Sequence, residues 1–228
     1  MRSNEMHDRG HPDYLSSLRS RLYTAVLSDV LDALGYRDQA MPPSIRPLDD
    51  ALAMAGVART GLYREVHRVV PGENPYELEI ALVDDLKEGE VALFACGGST
   101  RIAPWGELLT TASRARGAAG CVTDGYVRDI RQIRALQFPV FHGGIAPLDS
   151  KGRGMVAEID VPVRCAGVAV SPGDLVVGDA DGVIVVPQAI EREAVAQAFA
   201  KVTSEDRTRD ELAAGAKLAD VFAKYRVL

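Results

Sequence analysis

Residues 90–145 constrain the fold most, because apolar strand runs and helical patterns alternate there without a long linker. The run "VALFAC" is followed by the loop "GGSTRIAPW", the helical stretch "GELLTTASRARG", a second strand "AGCVTDG", a second helix "VRDIRQIRAL" and a third strand "FPVFHGG". Strand–helix–strand–helix–strand order predicts parallel strands joined by right-handed crossovers. Upstream, "GENPYELEIALVDDLKEGEVALFACGG" adds another helix-to-strand step, with Asn74 expected as its cap and Pro75 in its first turn. Downstream the pattern changes. From residue 154 to 187, short valine-rich runs broken by Pro-Gly-Asp and Asp-Gly predict antiparallel hairpins, "GDADGVIVVP" among them.

Helices flank this core at both ends. Leu15, Leu18, Leu22, Val26, Val30 and Leu34 recur at helical intervals, with Thr24 expected to cap a second helix and Gly35 to stop it. "MPPSIRPLDD" reads as a connection and "ALAMAGVARTG" as a first strand region. Residues 188–228 are charged and alanine-rich with a break at Gly215, and are expected to pack outside the sheets or against a neighbouring subunit. The expectation is an α/β protein with a mixed β core and outer helices: a mobile N-terminal segment over 1–13 and one domain over 14–228.

Composition excludes several classes. A chain of 228 residues that is 47% hydrophobic can bury a sizeable core, and its net charge of −6 leaves no cationic excess for a phosphate backbone, so no nucleic-acid partner is expected. Neither a signal peptide nor a membrane-spanning run is apparent, and Cys96, Cys121 and Cys165 show no paired spacing. A cytoplasmic protein without a membrane partner is expected.

Ligands of open α/β sheets collect beyond the carboxyl ends of the strands, so the loops after "VALFAC" and "AGCVT" are the places to search. The first loop leads to Gly106-Glu107-Leu108-Leu109, a helix start whose free amides can hold a carboxylate; the second leads to Asp124-Gly125 and Arg128-Asp129. In isolation, Arg-Asp neighbours are ordinarily a solvated ion pair, and a first-turn acid ordinarily only complements the helix dipole. Facing one crevice, two carboxylates and a guanidinium can instead bind a hydrated dication with an anionic substrate.

Glu107, twenty intervening residues and then Arg128-Asp129, within "WGELLTTASRARGAAGCVTDGYVRD", resembles the motif of the class II 4-hydroxy-4-methyl-2-oxoglutarate / 4-carboxy-4-hydroxy-2-oxoadipate aldolases and the related RraA regulators of ribonuclease activity. "SDVLDALG", "PSIRPL", "PVFHGGIAPLDSKGRG" and "SPGDLVVGDADGVIVVP" extend the resemblance over nearly the whole chain. It implies an α/β/β/α sandwich similar to the phosphohistidine swivelling domain, assembled as a homotrimer or hexamer with active sites between subunits. It also implies that Asp129 ligates Mg2+ or Mn2+, that Glu107 holds metal-bound water, and that the amides of Leu108 and Leu109 grip a pyruvyl carboxylate. Arg128 would then contact the keto oxygen and the developing enolate, Lys151 a distal carboxylate, and Glu205 of a neighbouring subunit a metal-bound water.

The implied activity is a metal-dependent aldolase that cleaves 4-hydroxy-2-oxo di- or tricarboxylic acids to pyruvate and an oxo acid, with oxaloacetate decarboxylation as a side activity. Glu107 stands where some aldolases of the family have aspartate, a difference that bears on their particular substrates. The alternative is a non-catalytic regulator that binds a ribonuclease or helicase. His142 at a strand end is read as a hydrogen-bonded structural residue or a group near the site, Trp105 as core or pocket wall, and Asp124 as a turn former or a support for Arg128.

Overall fold

The computed structural model describes residues 9–226. In chain order these form α1 (Tyr14–Arg21), α2 (Thr24–Ala33), β1 (Arg46–Pro47), β2 (Met54–Glu65), α3 (Glu77–Asp84), β3 (Glu90–Ala95), α4 (Glu107–Ala115), β4 (Gly120–Val127), α5 (Ile130–Leu136) and β5 (Val140–Ile145). Then come β6 (Gly154–Ile159), β7 (Val163–Cys165), β8 (Val168–Val170), β9 (Leu175–Asp179), β10 (Gly182–Val186), α6 (Glu191–Ala213) and α7 (Leu218–Tyr225).

The alternating segment folds as its periodicity predicts. Strands β2, β3, β4 and β5 are parallel neighbours, with Leu93 beside Val122 and Val122 beside Phe141. The valine-rich part makes the antiparallel hairpins β7–β8 and β9–β10, and β9 and β6 both pair with β2. Strand β2 serves both partners because it is 12 residues long: Met54–Val57 face β9, and Gly61–Glu65 face β6 with a register shift between Leu62 and Tyr63.

"MPPSIRPLDD" does more than connect. The amide of Met41 donates to Val183 O at 2.9 Å, Val185 N donates to Gln39 O at 3.0 Å, and Arg46 and Pro47 pair with His142 and Phe141 of β5. The segment therefore spans from β10 to β5 and nearly closes the eight-stranded sheet. Its prolines obscured this pairing, since proline cannot donate to a ladder and is tolerated only at strand edges.

Packing follows the alternation of side chains along each strand. Val91, Leu93, Val122 and Phe141 point inward and meet Val176, Val183 and Val185 from across the closed sheet. At Gly178 a Cβ would come within 2.5 Å of the Phe141 ring, so glycine lets the two halves approach. Ala92 and Phe94 point the other way, into a layer with Leu82, Trp105 and Ile133 contributed by α3, the loop before α4, and α5. On the remaining face, Leu18, Leu27, Leu31, Val195 and Phe199 of α1, α2 and α6 cover Val177 and Val186. This is an α/β/β/α arrangement. Gly35 (φ +87°) and Gly215 (φ +90°) sit in the left-handed conformation expected at helix ends.

Local details differ from expectation. Thr24 lies inside α2, and the cap comes from Asp179, which accepts from both the amide and the hydroxyl of Thr24 at 2.7 Å. Asn74 precedes α3 by one more turn, its side chain accepting from Tyr76 N at 3.1 Å. Of the segment 1–13, residues 1–8 lie outside the described residues, whereas Arg9 donates to Glu191 and to Gly173 O. No helix among the described residues is long and apolar enough to cross a membrane.

Asp124 and Gly125 do not form the turn expected before α5; they lie within β4, at its register shift. The buried Asp124 carboxylate accepts from Cys96 N and, at 3.1 Å each, from Gly98 N and Ala166 N. It thus ties the loop after β3 and the β7–β8 turn to β4. Replacing it strands those donors at about 1–3 kcal/mol each where they stay dry, so Asp124→Ala is expected to lower unfolding free energy by roughly 2–4 kcal/mol in urea titration. A loss below about 0.5 kcal/mol would contradict the tether.

Candidate active site

The end of β4 and the start of α4 are held together by backbone. Tyr126 N donates to Ile102 O at 2.9 Å, Arg128 N donates to Trp105 O at 3.0 Å, and Trp105 bridges Val127 in parallel. Trp105 is fully buried, stacks on Phe138 at 6.4 Å, and donates from Nε1 to Thr110 Oγ1 at 2.8 Å, which fixes the first turn of α4. It is at once core and pocket wall.

This clasp brings the predicted residues together. The Glu107 amide donates to Asp129 Oδ2 at 3.2 Å, while a Cβ on Gly106 would lie 2.7 Å from the same oxygen and 3.3 Å from Arg128 Nε. A side chain at 106 would have to displace the Asp129 carboxylate. Asp129 itself sits at φ +58°, a conformation rare for a residue with a side chain, and switches the chain from β4 into α5 at one position. Arg128 Nε is 3.7 Å from Asp129 Oδ2, and Nη1 is 3.8 Å from Asp149 Oδ1 and donates to Leu148 O at 3.3 Å. The amides of Leu108 and Leu109, in the first turn of α4, have no intrahelical acceptor.

Of these residues, Gly106, Leu108, Leu109 and Arg128 line a cavity of about 290 Å³, together with Tyr76, Glu79, Trp105 and Asp149, and Asp129 lies against Gly106 and Arg128. A larger hollow, about 900 Å³, lies by Gly89, Ala119 and Pro139, which precede β3, β4 and β5. It opens at the amino ends of the parallel strands, opposite to where α/β sheets place ligands, so the smaller cavity is the candidate.

A dication fits the donor set. No three His, Cys, Asp or Glu side chains among the described residues converge as a metal cage. A cage is not needed for Mg2+, which keeps several waters and takes one or two carboxylates. Asp129 is half-exposed beside Gly106 and Arg128, which line the cavity, and offers one such oxygen; Glu107, whose Oε1 accepts from Thr111 at 2.8 Å, opens α4 next to it with a carboxylate that can meet water.

Residues 24–185 match the family described as RraA-like, Aldolase/RraA. The chain belongs to the RraA-like family. A Halalkalibacterium halodurans protein, provisionally named a 4-hydroxy-4-methyl-2-oxoglutarate aldolase, is 35% identical over 198 residues, 87% of each chain. The 4-hydroxy-4-methyl-2-oxoglutarate aldolase of Thermus thermophilus is 34% identical over 100 residues, 44% of this chain and 60% of its own. The crystal structure of Streptomyces coelicolor RraAS2, described as an unusual member of the RNase ES inhibitor RraA protein family, superposes with a TM-score of 0.77 at 30% identity, covering 89% of this chain and 98% of that one.

Not every residue singled out in this RraA-like chain reaches the cavity. Lys151 is exposed beside it, with its amide donating to Asp149 Oδ1 at 3.3 Å. Glu205 accepts from the Tyr23 hydroxyl on α6, in the opposite helical layer; within one chain it is not brought to Asp129. His142 is buried in β5 and does not line the cavity, its Nδ1 has no hydrogen-bond partner among the described residues, and burial together with Arg134 lowers its pKa.

Three residues that the sequence did not single out do line the cavity: Tyr76, Glu79 and Asp149. The Tyr76 hydroxyl donates to Asp149 Oδ2 at 2.7 Å, and burial together with that carboxylate pushes Tyr76 up to about 12. Burial works to raise the Asp149 carboxyl, but Tyr76, the Lys151 amide and Arg128 outweigh it and hold Asp149 below its ordinary value. Glu79 is 5% exposed and forms no ion pair among the described residues. Burial, reinforced by Asp149, pushes its carboxyl up to about 7, with Tyr63 and Arg128 acting in the other direction. A signal for it was present: Glu79 falls at helical spacing with Leu82, Val83 and Leu86, an acid on an apolar face.

The raised Glu79 carboxyl binds its proton more tightly in the folded chain than in the unfolded one. Its contribution to stability is therefore fully present below about pH 4.5 and is lost as pH rises through about 7. The difference is about 3 kcal/mol. Glu79→Gln is expected to remove that loss, so that its denaturation midpoint exceeds the wild-type one by more at pH 8 than at pH 5. Equal differences at both pH values would contradict a buried, protonated Glu79.

Proposed function

We propose that this chain is a divalent-metal-dependent aldolase that cleaves 4-hydroxy-2-oxo di- or tricarboxylic acids to pyruvate and an oxo acid, and decarboxylates oxaloacetate as a side reaction. The observation that carries the proposal is the juxtaposition of Arg128 and Asp129 with the start of α4 beside one cavity, which Arg128, Gly106, Leu108 and Leu109 line. Both reactions pass through the enolate of pyruvate, and the site has to stabilise that negative charge.

Asp129 would hold Mg2+ or Mn2+, and Glu107 would hold one of its waters. When bound, the dication supplies Lewis-acid stabilisation to the keto and carboxylate oxygens. The amides of Leu108 and Leu109 receive the pyruvyl carboxylate at the positive end of α4. Arg128, oriented by Leu148 O, Asp149 and Asp129, places its charge where the enolate oxygen develops. Lys151, exposed beside the cavity, receives a distal carboxylate. Exposed Leu108, Ile80 and Ile145 support assembly into a homotrimer or hexamer that covers this rim, where Glu205 of a neighbouring subunit can meet a metal-bound water. Three buried, unpaired cysteines suit a reducing cytoplasm.

The likeness to Streptomyces coelicolor RraAS2 favours a second function, inhibition of a ribonuclease or helicase by surface binding. The two separate on Asp129. Pyruvate release, coupled to lactate dehydrogenase, is expected from 4-hydroxy-4-methyl-2-oxoglutarate and from oxaloacetate with Mg2+, and is expected to vanish with EDTA. It should fall at least ~100-fold in Asp129→Ala, and by about 100-fold in kcat for Arg128→Lys, which removes the planar fork. Turnover that is indifferent to EDTA and to Asp129 would overturn the metal-dependent mechanism.

A further inference from the structure

The cavity holds one ionisable group that the enolate site does not yet use. Glu79 projects from the first turn of α3 into the cavity wall shared with Arg128 and Trp105, where it is buried and has no cation within ion-pair distance among the described residues. The groups facing it are the Tyr63 hydroxyl from β2, the Tyr76 hydroxyl just before α3, the Cys96 thiol after β3, the Cys121 thiol of β4, Arg128 after β4, and Asp149 after β5. The Tyr63 hydroxyl is itself buried, faces Glu79 and Ser150, and makes no hydrogen bond of normal geometry among the described residues. A carboxyl whose only role is structural would be expected to pair with a cation or accept from backbone amides, as Asp124 does.

We infer that Glu79 is the proton carrier of the pocket, taking the C4 hydroxyl proton of the 4-hydroxy-2-oxo acid and returning it to C3 of the pyruvate enolate. The inference rests on the aldolase function proposed above. In the cleavage step the Glu79 carboxylate takes the hydroxyl proton, the O–H pair becomes the second C4–O bond, and the C3–C4 pair becomes the C2–C3 double bond of the enolate as C2=O becomes C2–O⁻. In the second step C3 takes the proton from the Glu79 carboxylic acid while C2=O re-forms. Glu79 ends as carboxylate, and no proton, oxidant or reductant is consumed. Arg128, on the same cavity wall, stabilises the oxygen while Glu79 serves the carbon.

A group that alternates between acid and base within one turnover works best near the ambient pH, and burial beside Asp149 has brought the Glu79 carboxyl to about 7. The second step run backwards gives a direct test that needs no aldol substrate: exchange of the C3 protons of pyruvate for deuterium, followed by NMR with Mg2+ present. Wild-type exchange is expected to rise with pH and level off above about 7 as the carboxylate forms. Glu79→Gln is expected to lose exchange by 100-fold or more and to lose the pH inflection with it, and Glu79→Asp to recover part of both.

Exchange in Glu79→Gln within a few-fold of wild type would overturn the assignment while leaving the aldolase function intact. Absence of exchange in the wild-type protein would overturn both. Thermal denaturation shows whether Glu79→Gln is folded. If it is not, the wild-type pH profile decides, with an inflection near 7 supporting Glu79 and a flat profile from pH 6 to 8 overturning it.

Discussion

The hydrogen bond from Arg128 N to Trp105 O, with the parallel bridge between Trp105 and Val127, is the contact on which the site depends. It extends β4 sideways by a short stretch of loop. As a result, the entrance to α4 and the exit from β4 meet, although more than twenty residues of helix and strand separate them in sequence. Without it Gly106 would not lie against Asp129, and the Glu107 amide would have no reason to face that carboxylate. Trp105 secures the contact from below by filling the core between Phe94 and Phe138.

The closed sheet supplies the rigidity behind this contact. Residues 39–47 bridge β10 to β5, and β2 binds β9 along one half and β6 along the other. The carboxyl ends of β3, β4 and β5 are therefore presented by a packed barrel-like interior, not by a free sheet. Asp124 links that interior to the loops above it, which explains why an acid within four residues of Arg128 has a tethering role.

Local periodicity made most of the fold legible. Strands and helices between residues 90 and 145 fall where apolar alternation places them, because each side of those strands meets a separate apolar layer. The proline-rich segment was not legible, since its pairing is specified by distant strands and proline masks the pattern. Within the site, Gly106, Glu107, Arg128 and Asp129 could be found from loop position and from resemblance to aldolases. Tyr76, Glu79 and Asp149 come from α3 and from the loop after β5, and only tertiary packing shows that these reach the same cavity. The left-handed turn at Asp129 was equally hidden, because aspartate carries no marker for it as glycine would.

The proposed function requires Arg128, Asp129 and the first turn of α4 to form one site for an enolate and a dication. A crystal structure with Mg2+ and oxalate, a stable analogue of the pyruvate enolate, tests it most directly. Oxalate is expected against Arg128 and the amides of Leu108 and Leu109, with the metal on Asp129. Oxalate bound elsewhere, or a metal that avoids Asp129, would contradict it.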